Sequence, residues 1–247
     1  MGRAFEYRKA RKMKRWAGMA KAFTKVGREI AIAIKEGGPD PDYNPRLRLA
    51  MQNAKSVNMP KANVDAAIKR ATDKDASNYE EVTFEGYAPH GVAIMIEATS
   101  DNNNRTVANI RHIFSKYGGS MGVNGSVDYM FNRVGRFQVK EDQIPGDLEE
   151  LELELIDAGL DRMEREEGEE GETGEIIFYT AFEDFGSFQS ALEERDIEVS
   201  NAELVRLPTH TKKLSDSEVE DVVKLIDMLE EDDDVANVFH SMDESDA

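Results

Sequence analysis

The strongest chemical signal in the sequence is a run of basic side chains close to its start. Six of them fall within eight residues, namely Arg8, Lys9, Arg11, Lys12, Lys14 and Arg15. Lysine and arginine bind phosphate by charge and hydrogen bonding, and each phosphate contact releases counterions from a nucleic acid. Tyr7 and Trp16 flank the run and could stack on unpaired bases. The run therefore predicts a nucleic-acid-binding arm. The alternatives are a solvated tail and an arm folded onto an acidic part of the same chain.

The basic character continues into the helix predicted directly after this arm. Lys21, Lys25 and Arg28 are separated by steps of four and three residues, so they project from one side of that helix. We expect this stripe to extend the phosphate contacts, together with other cations of the same domain. Those cations are Arg46, Arg48, Lys61, Lys69 and Arg70. No motif that reads base edges is present, so no sequence specificity is predicted.

The net charge of the whole chain conceals this basic region. The 247 residues carry a formal charge of −19, which taken alone argues against a nucleic-acid binder. The charge is segregated, however: residues 1–75 carry +10, residues 76–140 are neutral, and residues 141–247 carry −29. Such asymmetry is typical of proteins that contact a polyanion through their basic part. We expect the acidic part to confine that contact to one face.

Patterns that would indicate an enzyme are weak. Gly118-Gly119-Ser120-Met121-Gly122 has the letters of a nucleophile elbow, but that motif requires a strand before it and a helix after it, and the reverse order is predicted here. The four histidines show no metal-ligand spacing. Cysteine is absent, which excludes thiol catalysis and cysteine-based metal sites. We therefore predict a non-enzymatic protein without cofactor, metal or small-molecule substrate.

Two acidic segments could be taken for calcium sites. Residues 164–175 and the Asp232-Asp233-Asp234 cluster both lack the register of a calcium-binding loop, so solvated loops are favoured. No stretch approaches about 18 uninterrupted apolar residues, and no secretory signal is evident. The expected location is the cytoplasm, without membrane contact.

The hydrophobic pattern divides the chain into several structural units. After the arm (1–16), three amphipathic helices predict a bundle over 17–75. The order β-α-β-β-α-β over 133–207 is that of a ferredoxin-like domain. Residues 76–132 predict strands, two of them at 92–99 and 126–131, and one helix. These elements do not complete a domain by themselves. A helix and a strand predicted within 208–247 would supply the missing partners. The fold class is therefore multi-domain α+β, with the ferredoxin-like domain inserted into a discontinuous middle domain.

Several segments together resemble the YebC family, whose members are widely described as transcriptional regulators. The matching segments are Phe23–Ile30, Gly37–Pro41, Asn44–Arg48, Asn58–Asn63, Glu85–Pro89, Asp101–Thr106, the glycines of 119–125 with Ser126-Val127, and Leu229–Val235. The resemblance covers the chain from about residue 17 to its end. Two departures occur: Gly2–Lys9 replaces the usual Gly-His-Ser-Lys-Trp opening, and His90 stands where glycine is usual.

The resemblance implies the same three-part fold and a DNA-binding regulator that is not an enzyme. It equally permits a translation factor that acts at the ribosome on rRNA, because some members, including mitochondrial relatives, are regarded as such. We expect Asn103 and Asn104 to cap a helix and Arg105 to be a surface or interdomain ion-pair partner.

Overall fold

Three helices open the part of the chain that the structure describes. A computed structural model describes residues 19–73, 78–168 and 173–244. The helices are α1 (Met19–Gly37), α2 (Pro45–Ser56) and α3 (Lys61–Thr72). Their apolar side chains recur at helical spacing and meet in one core, in which Ile30 and Leu47 are fully buried. Burial of this shared face stabilises helices that are too short to persist alone.

The turn between the first two helices depends on one buried asparagine. Gly38 adopts a left-handed backbone conformation (φ +84°), which ends α1. The Asn44 side chain then accepts a hydrogen bond from the Leu47 amide at 3.0 Å and donates one to the Ala33 carbonyl at 2.7 Å. It therefore caps α2 and ties it to α1 at the same time.

The middle of the fold is an antiparallel sheet covered by two helices. Its strands are β1 (Glu80–Tyr87), β2 (Ala93–Ser100), β3 (Ser120–Met121) and β8 (Val235–His240), in the order β3-β1-β2-β8. Helices α4 (Asn103–Lys116) and α7 (Asp216–Glu231) pack on one face of this sheet. Ile94, Phe114 and Leu225 are fully buried in that layer. The last strand of this sheet therefore comes from the far end of the chain.

A second sheet is built from the residues between these two parts. The elements β4 (Phe131–Lys140), α5 (Leu148–Ile156), β5 (Leu160–Glu166), β6 (Glu175–Ala181), α6 (Phe185–Glu194) and β7 (Val199–Pro208) follow one another along the chain. The strand order is β5-β6-β4-β7, with all pairs antiparallel. This order and the βαββαβ sequence are those of a ferredoxin-like unit. The rings of Phe137, Phe178 and Phe188 pack in its core. The predicted fold class is confirmed, whereas the domain limits at residues 16, 75, 132 and 207 stay predictions.

The predicted strand at residues 126–131 is wrong. The backbone there forms a loop and a short 3-10 turn (Asp128–Met130), and β4 begins only at Phe131. The cause is Glu85, whose buried carboxylate accepts hydrogen bonds from the amides of Gly125 (2.6 Å), Val127 (2.7 Å) and Asp128 (3.0 Å). These amides point at one carboxylate and cannot join a sheet ladder. Burial alone would raise the pKa of Glu85, but these hydrogen bonds outweigh it and lower the pKa.

The predicted cap of one helix also differs from the observed one. Helix α4 is capped by Asn102, which accepts from the Arg105 amide at 3.2 Å, and Asn103 and Asn104 are its first residues rather than its caps. Helix α3 has Pro60 at its N-cap position. Within the described ranges, no helix is long and apolar enough to cross a membrane.

Candidate nucleic-acid interface

The predicted interface falls partly on residues that the structure describes. Arg8, Lys9, Arg11, Lys12, Lys14 and Arg15 lie outside the described residues. Lys21, Lys25, Arg28, Arg46, Arg48 and Lys61 are described, and their contacts divide them into two groups.

The basic stripe of α1 contacts the acidic end of the chain. Lys21 donates a hydrogen bond to the Glu231 carbonyl, and the Lys25 ammonium donates to the Ala236 carbonyl at 2.9 Å. The Arg28 guanidinium donates to the carbonyl of Asp233 at 2.6 Å. One side of α1 therefore packs on the connection between α7 and β8. In this structure the stripe joins the bundle to the middle domain.

A single buried carboxylate stands at the centre of this contact. Asp234 is 4% exposed and lies 3.1 Å from the Arg28 guanidinium and 2.9 Å from that of Arg105. It also accepts a hydrogen bond from the Thr106 hydroxyl at 2.7 Å. Burial alone would raise the pKa of Asp234, but the hydrogen bonds from Thr106 and Arg105 and the two positive charges lower it. The carboxylate is therefore held ionised, as a buried charge with this many partners must be.

Two further predicted cations also make contacts within the protein. Arg46 forms ion pairs with Glu36, at 2.6 Å, and with Glu81 of β1. Arg48 donates to the carbonyls of Pro41 (2.9 Å) and Asp42 (3.2 Å). Arg46 links the bundle to the first sheet, and Arg48 closes the turn before α2.

A glutamate that the sequence pattern did not single out lies at the same junction. Glu29 of α1 is partly buried beside Thr99 of β2 and Asp234 of the connection between α7 and β8. Burial, followed by the negative charges of Glu203 and Glu81, raises its pKa to about 7, against the opposing charges of Arg46 and Lys25. Glu29 belongs to the bundle, Glu81 to the first sheet and Glu203 to the second. The pKa of Glu29 therefore depends on how these three parts of the protein pack together. The sequence around Glu29, in a basic helix, contains no pattern that would have indicated its raised pKa.

The remaining described cations of the bundle face solvent. Lys61 is exposed at the start of α3, and no ion pair within the described ranges involves it. The same is true of Lys55 and Lys69, whereas Arg70 donates to the Ala66 carbonyl of its own helix at 3.3 Å. Lys55, Lys61 and Lys69 are therefore available to an external phosphate without breaking an ion pair within the described ranges.

The structure also shows where the residues lie whose sequence patterns could indicate an enzyme or a metal site. Ser120 lies in β3, after helix α4, so the order of elements around it is opposite to that of a nucleophile elbow. Within the described ranges, no group of three or more histidine, aspartate and glutamate side chains could hold a metal ion. His90 adopts a left-handed backbone conformation (φ 61°) in the turn before β2, and its Nε2 lies 3.2 Å from the Asp221 carboxylate.

Comparison with known proteins gives matches over nearly the whole chain. Residues 3–74 match the model of the TACO1/YebC protein N-terminal domain, and residues 79–242 match that of the TACO1/YebC second and third domains. A probable transcriptional regulatory protein of Flavobacterium johnsoniae is 56% identical over 99% of this chain and 100% of its own length. One from Porphyromonas gingivalis is 52% identical over 99% of this chain and 98% of its own.

The fold has a solved counterpart as well. The crystal structure of a conserved hypothetical protein from Aquifex aeolicus superimposes with a TM-score of 0.79 at 37% sequence identity, covering 92% of this chain and 91% of that one. The matched domains, their order and the shared fold agree, and the chain belongs to the TACO1/YebC family.

Proposed function

We propose that this protein is a non-enzymatic regulator that binds DNA and acts in transcription. The observation that carries the proposal is the separation of charge: residues 1–75 carry +10 in a chain of −19. A polyanion is attracted to the basic part and repelled by the acidic part, so it approaches from one side. The names of the relatives, probable transcriptional regulatory proteins, support the regulatory role.

The proposed grip consists of the arm and the free cations of the bundle. Lys61 faces solvent, and the arm residues 8–15 carry six positive charges. Lys21, Lys25, Arg28, Arg46 and Arg48 would have to exchange contacts within the protein for phosphate contacts. Lys61 and the arm are therefore the stronger candidates. The family and the arm are equally compatible with rRNA, which presents the same phosphate charge.

The test of the target is crosslinking in cells, followed by sequencing of the bound nucleic acid. Enrichment of promoter DNA is the expected result. Enrichment of rRNA without promoter DNA would replace the transcriptional assignment by a ribosome-associated translation factor.

The test of the arm is a salt titration of DNA binding. Replacing Arg8, Lys9, Arg11 and Lys12 by alanine removes up to four phosphate contacts, so the slope of log affinity against log salt should fall by about 2–4. An unchanged slope and affinity would show that the arm is not the phosphate grip.

A further inference from the structure

The longest stretch of the chain without an acidic residue lies outside the predicted arm and bundle. Residues 102–127 contain no aspartate or glutamate, although 50 of the 247 residues are acidic. Helix α4 occupies the first half of this stretch. An acid-free helix in so acidic a chain is a place where a polyanion meets no local repulsion.

The exposed face of α4 combines cations with small side chains. Thr106, Ile110 and Phe114 are buried against the first sheet. At 3.6 residues per turn, Ala108, His112 and Ser115 lie on the opposite side and form an exposed crest, and Arg111 and Lys116 lie on its two flanks. The small side chains of Ala108 and Ser115 allow close approach to the helix, and the long cationic side chains can reach around it.

The two flanking cations differ from Arg105 in their contacts. Arg105, one turn earlier, is held by Asp101 at 2.9 Å and by Asp234 at 2.9 Å. Arg111 and Lys116, in contrast, form no ion pair with any described residue, and Lys116 lies over its own neighbour, with its ammonium 5.3 Å from the centre of the Tyr117 ring. Their charges therefore stay available to an external anion.

Helix α4 lies beside the point at which the chain enters α1. Lys21, near the start of α1, binds the Glu231 carbonyl at the end of α7. The next residue, Asp232, accepts a hydrogen bond from Asn109 of α4 at 3.1 Å. The start of α1, which the arm precedes in the sequence, thus lies next to the middle of α4. A nucleic acid held by the arm would pass close to the exposed face of this helix.

The neighbouring helix limits the direction of approach. Asn109 marks the flank of α4 that faces α7, whose exposed residues include Glu220, Asp221 and Glu231. Arg111 is two residues further on and therefore lies on the other flank. Repulsion from α7 directs a polyanion toward the Arg111 side.

We propose that the exposed face of α4 is a second phosphate-binding surface, which contacts the backbone of duplex DNA held by the arm. Arg111 makes the principal contact and Lys116 a lesser one, because Lys116 lies nearer the acidic helix. The proposal rests on the proposed function, since it takes DNA as the partner. It adds a surface in the middle domain to a grip otherwise confined to residues before 75.

The test uses the full chain and a fluorescently labelled DNA duplex of about 20 base pairs, two helical turns. The variant Arg111→Ala with Lys116→Ala is compared with Arg133→Ala with Lys140→Ala, which removes the same two charges from exposed positions of the second sheet. The α4 variant should bind about 5–20-fold more weakly, and its salt slope should fall by about 1–2. The control variant should stay within about twofold of the unmodified protein. Arg111→Lys should retain most of the slope, because the charge is kept.

The outcomes separate this inference from the proposed function. If the α4 variant binds like its control while the arm variant loses affinity, the second surface is overturned and the arm stands. If the unmodified protein does not bind the duplex, both proposals fall. A loss confined to an RNA hairpin of equal charge would overturn DNA as the occupant. Unchanged denaturation midpoints show that the variants are folded, because both substituted side chains of α4 are exposed.

Discussion

The guanidinium of Arg28 and the carboxylate of Asp234 lie 3.1 Å apart and join the two ends of the chain. Arg105 binds the same carboxylate from α4, so one buried charge connects the bundle, α4 and the connection that leads into β8. Removing the acid would leave two guanidinium groups without their shared partner, which is costlier than losing one hydrogen bond.

The substitution Asp234→Asn should therefore lower the free energy of unfolding by about 2–4 kcal/mol. The amide keeps the shape but not the charge. Chemical denaturation measures the change, and Asp233→Asn is the matched control because the structure uses only the backbone carbonyl of Asp233 to bind Arg28. The control should stay within about 0.5 kcal/mol of the unmodified protein. Equal effects of the two substitutions would show that the Asp234 charge does not hold the domains together.

Glu29 should make stability depend on pH. Its pKa rises from the ordinary 4.5 to about 7 on folding, so the folded state binds its proton more tightly than the unfolded state does. The resulting stabilisation is fully present below about pH 4.5 and is lost as the pH rises through 7. Glu29→Gln removes this dependence and should make the protein more stable than the unmodified chain at pH 8, by about 1–3 kcal/mol.

The measurement for Glu29 is urea denaturation at pH 5 and pH 8. The stabilising effect of Glu29→Gln should grow between the two values, whereas Glu149→Gln, at an exposed position of α5, should show no such growth. A variant effect that is constant with pH would mean that Glu29 ionises in the folded protein as it does in the unfolded chain.

Glu85 should be required for the order of the loop before β4. Its three amide partners lose a charged acceptor in Glu85→Gln, and an amide group presents only one oxygen to them. We expect the free energy of unfolding to fall by about 1.5–3 kcal/mol. Faster hydrogen exchange at Gly125, Val127 and Asp128 should accompany the change.

The contribution of Glu85 to stability should also depend on pH, in the direction opposite to that of Glu29. Because its pKa is lowered on folding, its contribution is present above the ordinary carboxyl pKa and is lost as the pH falls through the folded value. Glu167→Gln, an exposed control, should leave the loop amides protected as before. Unaltered exchange in Glu85→Gln would show that other contacts hold the loop.

Substitutions of Lys61 and Arg46 should have different effects: one on DNA binding and the other on the free energy of unfolding. Lys61→Ala removes an exposed charge with no ion pair in the described part of the chain, so DNA binding should weaken and the salt slope should fall by about 0.9 without loss of stability. Arg46→Ala breaks the ion pairs with Glu36 and Glu81 and should lower the free energy of unfolding by about 0.5–1 kcal/mol. If Arg46→Ala lost DNA binding and Lys61→Ala did not, the phosphate contact would lie at α2 and not at α3.

The sequence alone determined the secondary structure and its grouping wherever periodicity was strong. The apolar periodicity over residues 17–75 predicted the three-helix bundle, and the βαββαβ order predicted the ferredoxin-like unit, because local spacing decides which face of an element can be buried. The sequence also indicated that the first sheet takes a strand from the end of the chain, because an incomplete sheet leaves backbone groups unpaired.

Only the tertiary structure decided what the charged residues contact. Lys21, Lys25 and Arg28 look in sequence like a free phosphate-binding stripe, but their partners lie about two hundred positions further along the chain, where no local pattern reveals them. Glu85 likewise replaces a predicted strand by a loop through hydrogen bonds to residues some forty positions away. Charge and periodicity are local properties of a sequence, whereas the pairing of a buried carboxylate depends on which segments the fold brings together.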